Sequence, residues 1–175
     1  EEKQATFYDL FKRSIQQHTR SDVEIGGCLS GGIDSSSIAS AIGTFFPNMP
    51  FKTFTIYYDG KNEVDERPFA QSVIDKYPNL QPHYHSPNDS DLQDSIEACF
   101  TQMDVPLPSS SPVSQYFVMQ LASKHNMKVL IDGQGADEHL AGYMHSFYRL
   151  FGGLMKQAKL IDMISNLNQH KKENQ

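Results

Sequence analysis

The stretch Cys28-Leu29-Ser30-Gly31-Gly32-Ile33-Asp34-Ser35-Ser36 decides how this chain is read. It follows a short apolar run, Val23 to Leu29, that reads as a strand. It leads into Ser35, Ser36, Ser37, Ala39 and Ala41, small residues that suit a helix packed tightly on a sheet. Two glycines let the backbone turn sharply and approach a ligand with no Cβ in the way. The helix start then offers unpaired N–H groups and a positive dipole end to an anion. Ser30, Ser35 and Ser36 add neutral donors suited to phosphate oxygens. No Gly-Lys-Ser/Thr follows, so this is not a Walker A loop. The competing reading is an ordinary tight turn with Asp34 or Ser35 as an N-cap.

Outward from this loop, strands and helices alternate. Thr6 to His18 carries Phe7, Leu10, Phe11 and Ile15 at helical spacing. Phe51 to Tyr58 is β-branched and aromatic, a good strand. Asp65 to Tyr77 looks helical from an acidic start, Pro82 to Ser86 reads as a short strand, and Ser90 to Gln102 as a helix. Asp104 to Pro112, with its prolines and serines, reads as a loop, and Gln115 to His125 as a helix. Val129-Leu130-Ile131 is a buried strand entering a second Gly-rich turn. Asp137 to about Phe151 is helical, and Gly152-Gly153 should interrupt it. A last amphipathic stretch (Leu154, Ile161, Ile164, Leu167) precedes the polar tail His170 to Gln175. This alternation implies βαβ units and an α/β fold, a parallel sheet with helices on both faces. The expected division is a domain over residues 1–151 and a helical extension over 152–175.

Composition narrows the class. The 175 residues carry 15 Lys and Arg against 21 Asp and Glu, a net charge of −6, with 38% hydrophobic residues. That is too apolar and too weakly charged for a disordered chain. The acidic balance argues against nucleic acid and anionic membranes as partners. Two cysteines, Cys28 and Cys99, make no disulfide scaffold. No apolar run is long enough to span a membrane, and the first residues are no signal peptide. A cytoplasmic globular domain is the expectation.

The Ser30 to Ser36 segment resembles the pyrophosphate loop of the ATP pyrophosphatase superfamily. Ile131-Asp132-Gly133-Gln134-Gly135-Ala136-Asp137-Glu138, followed by Ala141-Gly142-Tyr143, narrows the resemblance to the synthetase domain of glutamine-hydrolysing asparagine synthetases. Phe54-Thr55-Ile56, Asp65-Glu66 and Met103-Asp104-Val105-Pro106 stand in the expected order, so the resemblance covers roughly residues 6–150. It implies an adenine nucleotide alpha hydrolase-like, Rossmann-like fold. It also implies ATP bound with Mg²⁺, adenylation of aspartate or another carboxylate, release of pyrophosphate, and displacement of AMP by ammonia. Backbone of Cys28, Leu29, Ile56 and Gly133 would line the adenosine, Ser30, Gly31, Gly32, Asp34, Ser35 and Ser36 would take the phosphates, and Asp132 is a further ATP-binding candidate.

Strand ends of a parallel sheet open on one edge, where ligands of such folds bind. Asp34 and Asp137 each follow a strand and open a helix, so they could share one crevice, and the family gives the matching aspartates to magnesium. Two separate N-caps are the alternative. Asp65 and Glu66 read equally as first-turn helix acids. Cys28 reads as packing. His83 and His85 share a strand face without the further ligands zinc needs. Ser109 to Ser111 reads as a surface loop, with a substrate lid as the sharper alternative.

Gln134 departs from the family, where this position is usually an acid thought to help deprotonate the incoming amine. Gln134 is thus the candidate catalytic position, and Val105 beside Asp104 removes a second acid nearby. A family member makes ammonia in an N-terminal glutaminase domain with a terminal cysteine. This chain begins at Glu1 and stops soon after Tyr143, so it reads as an inactive fragment of a larger synthetase, with room for a homodimer. The rival readings are another pyrophosphatase-loop enzyme, such as an NAD or GMP synthetase, and a non-catalytic nucleotide-binding module.

Overall fold

β1 (Ile25–Cys28) is an inner strand of the sheet, although half of it is glycine. The computed structural model describes residues 2–59, 65–106, 109–140, 142–157, 159, 161 and 164–167. β2 (Phe51–Ile56) and β4 (Val129–Ile131) flank β1, and β3 (Leu80–His85) lies outside β2, in the order β3-β2-β1-β4. Every pairing is parallel, with Gly27 opposite both Thr53 and Ile131. β3 lies at an edge, so Pro82 costs no ladder bond there.

The glycines of β1 are explained by β2. A Cβ on Gly27 would lie 2.8 Å from the Phe51 ring, and one on Gly26 would lie 2.9 Å from the Phe54 ring. Side chains alternate along a strand, so Phe51 covers one face of the sheet and Phe54 the other. On the Phe51 face, α1 (Glu2–His18), α2 (Ile33–Phe45) and α3 (Arg67–Ile74) bury Ile15, Ile42 and Ala70 against Ile25, Leu29 and Leu80. On the Phe54 face, α5 (Ser111–Lys124) lays down Val118, Leu121 and Ala122, while its Val113 and Phe117 meet Cys99 of α4 (Asp89–Met103). The expected parallel α/β sheet with helices on both faces is therefore present. α4 starts at a capping box in which Asn88 Oδ1 accepts from Asp91 N and Asp91 Oδ2 accepts from Asn88 N.

The chain forms two compact units, Glu1–Gly133 and Gln134–Gln175. The second holds α6 (Ala136–Leu140) and α7 (Met144–Lys156). Several boundaries differ from expectation. The strand begins at Ile25, leaving Val23 exposed. The second strand ends at Ile56, the third extends back to Leu80, and α5 takes in Ser111 and Pro112 from the expected loop. The helix expected from Asp137 is two helices, because Gly142 N turns back to Asp137 O. Gly152-Gly153 do not interrupt α7. A Cβ on either would meet nothing within 4 Å, and each glycine costs a helix only about 1 kcal/mol. No helix among the described residues is long and apolar enough to cross a membrane. Residues 107 and 108 of the Pro-rich loop, Ala141 and the polar tail lie outside the described residues.

Candidate functional site

The loop after β1 is held by its own hydroxyls. Leu29 N donates to Phe54 O at 3.0 Å, continuing the ladder one residue beyond the strand. Ser35 Oγ accepts from Ser30 N at 3.2 Å and donates to Gly32 O at 3.3 Å, while Ser30 Oγ lies 3.1 Å from it. Gly32 N donates to Ser30 Oγ at 3.2 Å. Gly31 adopts φ +88°, a left-handed conformation, and a Cβ there would fall 2.6 Å from Phe69 Cβ of α3. Glycine is required twice over.

α2 begins at Ile33 with Gly32 as its N-cap, and no side chain caps it. Asp34 and Ser35 therefore sit inside the first turn, and the alternative that either is the cap is set aside. A helix end of this kind directs N–H groups and a positive dipole outward. Ser36 Oγ is buried without a hydrogen-bond partner in the same turn. Ile33 is 85% exposed beside it.

The end of β4 comes to this turn. A Cβ on Gly133 would lie 3.0 Å from both Asp34 Cβ and Ser35 N. The start of the second motif thus rests against the helix that the first motif opens, with a glycine at the point of closest approach. Asp132 is half-buried, and its Oδ2 accepts from Gln115 Nε2 of α5 at 2.8 Å. Gln115 Nε2 also lies 3.8 Å from Cys28 Sγ. Burial, then the charge of Asp132, pushes the Cys28 thiol up to about 12. A thiol held protonated is no nucleophile, in agreement with Cys28 as a packing residue. Ile56 is half-buried at the end of β2 and packs toward both α5 clusters.

Asp65 and Glu66 precede α3 instead of forming its first turn, because Asp65 is engaged by Arg67. Its Oδ1 accepts from Arg67 N at 3.0 Å and from Nε at 2.8 Å, and its Oδ2 accepts from Nη2 at 2.8 Å. These bonds hold the Asp65 carboxyl below the usual carboxylate range. The Arg67 guanidinium also lies 3.9 Å from the centre of the Tyr57 ring. Burial raises Glu66.

Gln134, Asp137 and Glu138 belong to the second unit. There Asp137 and Glu138 occupy the first turn of α6, and Tyr143 Oη donates to Glu138 Oε1 at 3.1 Å. A Cβ on Gly142 would collide with Asp137 Oδ1, so the glycine of the Ala-Gly-Tyr step clears that carboxylate. Gln134 is exposed. Elsewhere, His83 stacks on Phe54 at 5.3 Å and lies 3.9 Å from the His125 ring, while His85 lies 6.2 Å from Phe117. Among the described residues no three His, Cys, Asp or Glu side chains group to hold a metal ion. Ser109 Oγ accepts from Ser111 N at the start of α5.

Sequence reasoning missed Gln115, Arg67 over Tyr57, and the 2.7 Å bond between Tyr58 Oη and Ser114 Oγ. Each joins residues from different elements or a loop to a helix, and none lies within the two motifs.

A family model described as asparagine synthase matches residues 6–173. A Methanocaldococcus jannaschii relative, named among the glutamine-hydrolysing asparagine synthetases, is 30% identical over 95% of this chain and 34% of its own length. Glutamine-hydrolysing asparagine synthetase 1 of Bacillus subtilis is 32% identical over 85% of this chain and 24% of its own length. Amidase chyE of Penicillium rubens is 28% identical over 74% of this chain and 21% of its own length. The chain thus spans between 21% and 34% of the length of these relatives.

Proposed function

The chain belongs to the asparagine synthase family, and on that premise we propose that it is the ATP-handling part of an amide-forming synthetase. A substrate carboxylate oxygen attacks the α-phosphorus of ATP and pyrophosphate leaves. An amine then attacks the resulting acyl carbon, and AMP departs as the amide forms. The observation that carries this reading is Gly133 lying against Asp34 and Ser35 at an uncapped helix start. It brings the end of β4 onto the one feature of the first unit best suited to receive phosphates.

The roles follow from the chemistry of each group. The first-turn N–H groups of α2, with Ser35 and Ser36, receive the pyrophosphate, and the Ser30–Ser35–Gly32 bonds hold the loop that presents them. Backbone at Cys28, Leu29, Ile56 and Gly133 lines the adenosine. Asp34 would hold Mg²⁺, an oxygen-seeking ion that takes one or two carboxylates together with phosphates and water, and the resemblance gives Asp137 of the second unit the same role. The donor types fit, and the ion supplies neutralisation of charge on the leaving pyrophosphate. The chain's own contribution is placement of reactants and aimed dipoles.

By their names, two of these relatives hydrolyse glutamine. We assign the same ammonia source to a glutaminase domain in the parent protein, acting in the cytoplasm on aspartate or a related carboxylate. On this reading the 175 residues alone turn over little, spanning 34% and 24% of those relatives. A second reading, a related amide-forming enzyme with another substrate, is favoured by Gln134 where an acid is usual.

The test is ATP–pyrophosphate exchange by the parent protein with aspartate and other carboxylates. Magnesium-dependent exchange with one of them is the expected result. ATP binding without exchange by any carboxylate would overturn the enzyme reading in favour of a nucleotide-binding module.

A further inference from the structure

The peptide unit that joins Leu29 to Ser30 is where the chain leaves the sheet for the loop, and it is held at both ends. Its carbonyl, Leu29 O, accepts from Thr55 Oγ1 of β2 at 2.5 Å. Its N–H, that of Ser30, donates to Ser35 Oγ of α2 at 3.2 Å. A peptide unit is planar, so bonds at opposite ends fix the direction in which the whole plane faces. One anchor comes from the sheet and the other from the helix that the loop opens.

Alternation along β2 puts Phe51, Thr53 and Thr55 on the face that carries α2. Thr55 is 3% exposed and Leu29 fully buried, so water does not replace this bond when it is lost. Thr53, two residues earlier on the same face, buries its hydroxyl with no hydrogen-bond partner. The Thr55 hydroxyl differs in that it reaches the loop. The Leu29–Ser30 plane matters beyond itself because the next bonds start from it. Ser30 Oγ accepts from Gly32 N and lies against Ser35 Oγ, and Gly32 is the N-cap of α2. Turning the plane displaces Ser30, and with it the N–H groups presented at the helix start.

We propose that Thr55 is a positioning residue for this loop. Its hydroxyl locks the Leu29–Ser30 peptide and so aims the groups that receive the phosphates, without touching the nucleotide itself. The proposal rests on the ATP reading above, and it assigns a part in binding to a strand residue outside both sequence motifs.

The experiment compares the parent protein as wild type, Thr55→Val, Thr55→Ser and Thr53→Val, each first checked for a cooperative thermal transition. Valine keeps the shape of threonine and removes the hydroxyl, whereas serine keeps the hydroxyl. The readouts are calorimetry with Mg-ATP and amide hydrogen exchange before nucleotide is added. Thr55→Val is expected to weaken Mg-ATP by roughly tenfold, the scale of one buried hydrogen bond left unmade. It should also speed exchange at Ser30 and Gly32 while the amides of β1 keep their wild-type rates. Thr55→Ser and Thr53→Val should match wild type in both readouts. Wild-type affinity in Thr55→Val overturns the inference and leaves ATP binding intact, even where the thermal midpoint falls, because a merely structural hydroxyl would do that. Equal weakening by Thr53→Val, or no rescue by Thr55→Ser, overturns it as well. If Thr55→Val does not fold, Thr55→Ala is read by the same criteria. A folded wild type that binds no Mg-ATP overturns the ATP reading, and this inference with it.

Discussion

At the scale of single residues, the two aspartates carry the sharpest expectation. Asp34 lies in the first turn of α2 and Asp137 in the first turn of α6, each following a motif that ends a strand. Asp34→Ala and Asp137→Ala should each weaken magnesium-dependent ATP binding by roughly tenfold or more, the scale of a lost charged contact. Unchanged calorimetric affinity in both variants would remove them from the site. On the reading proposed for Gln134, it takes the place of an acidic base, and its amide cannot take a proton at neutral pH. Gln134→Glu in the parent should speed the amination half-reaction by roughly tenfold or more between pH 6 and 9, while pyrophosphate exchange stays nearly constant. An unchanged profile would make Gln134 incidental. The motif residues were legible because glycine, serine and aspartate at those spacings have few other uses. Gln115 was not, since an amide within a helix looks like any solvated position until its distance to Asp132 is known.

At the scale of elements, the parallel sheet was readable from β2 and β4, whose side chains are mostly β-branched or aromatic. The course of β1 was harder, because Gly26 and Gly27 argue against a strand and owe their place to two rings on a neighbour. Gly27→Ala should destabilise the chain by about 1–3 kcal/mol, the usual cost of overpacking a core, read as a lower urea midpoint. Phe51→Leu in the same chain should recover part of that loss, since the added methyl meets the Phe51 ring at 2.8 Å. If the two losses simply add, the ring is not what excludes a side chain there. The boundary of α3 was misjudged for a related reason. Asp65 and Glu66 look like first-turn acids, but a two-residue clasp between Asp65 and Arg67 delays the helix.

At the scale of the whole molecule, stability should depend on pH through the rings packed on Phe54. Burial, then the neighbouring His125 and Lys52, lowers the His83 pKa below its ordinary 6.5, against an opposing pull from Glu24. The unfolded chain then takes up this proton more readily than the folded one, so acid favours unfolding. The contribution is neutral well above pH 6.5 and turns against the fold as pH falls through that value. His83→Gln should flatten the change in urea midpoint between pH 7.5 and 5.5, and an identical slope in the variant would absolve this pair. The division into two compact units was not readable, because nothing in the composition changes at Gly133.

The serine bonds of the first loop have a consequence in time as well as in space. Ser30 N and Gly32 N donate to hydroxyls of the chain's own serines. The loop therefore waits in shape, and a ligand meeting it loses little entropy to ordering the backbone. Amide hydrogen exchange reads this directly. Ser30 and Gly32 should exchange slowly before nucleotide is added, whereas Ile33 and Asp34, at the uncapped helix start, should slow only once it binds. Fast exchange at all four before binding would mean that the loop is assembled by its ligand.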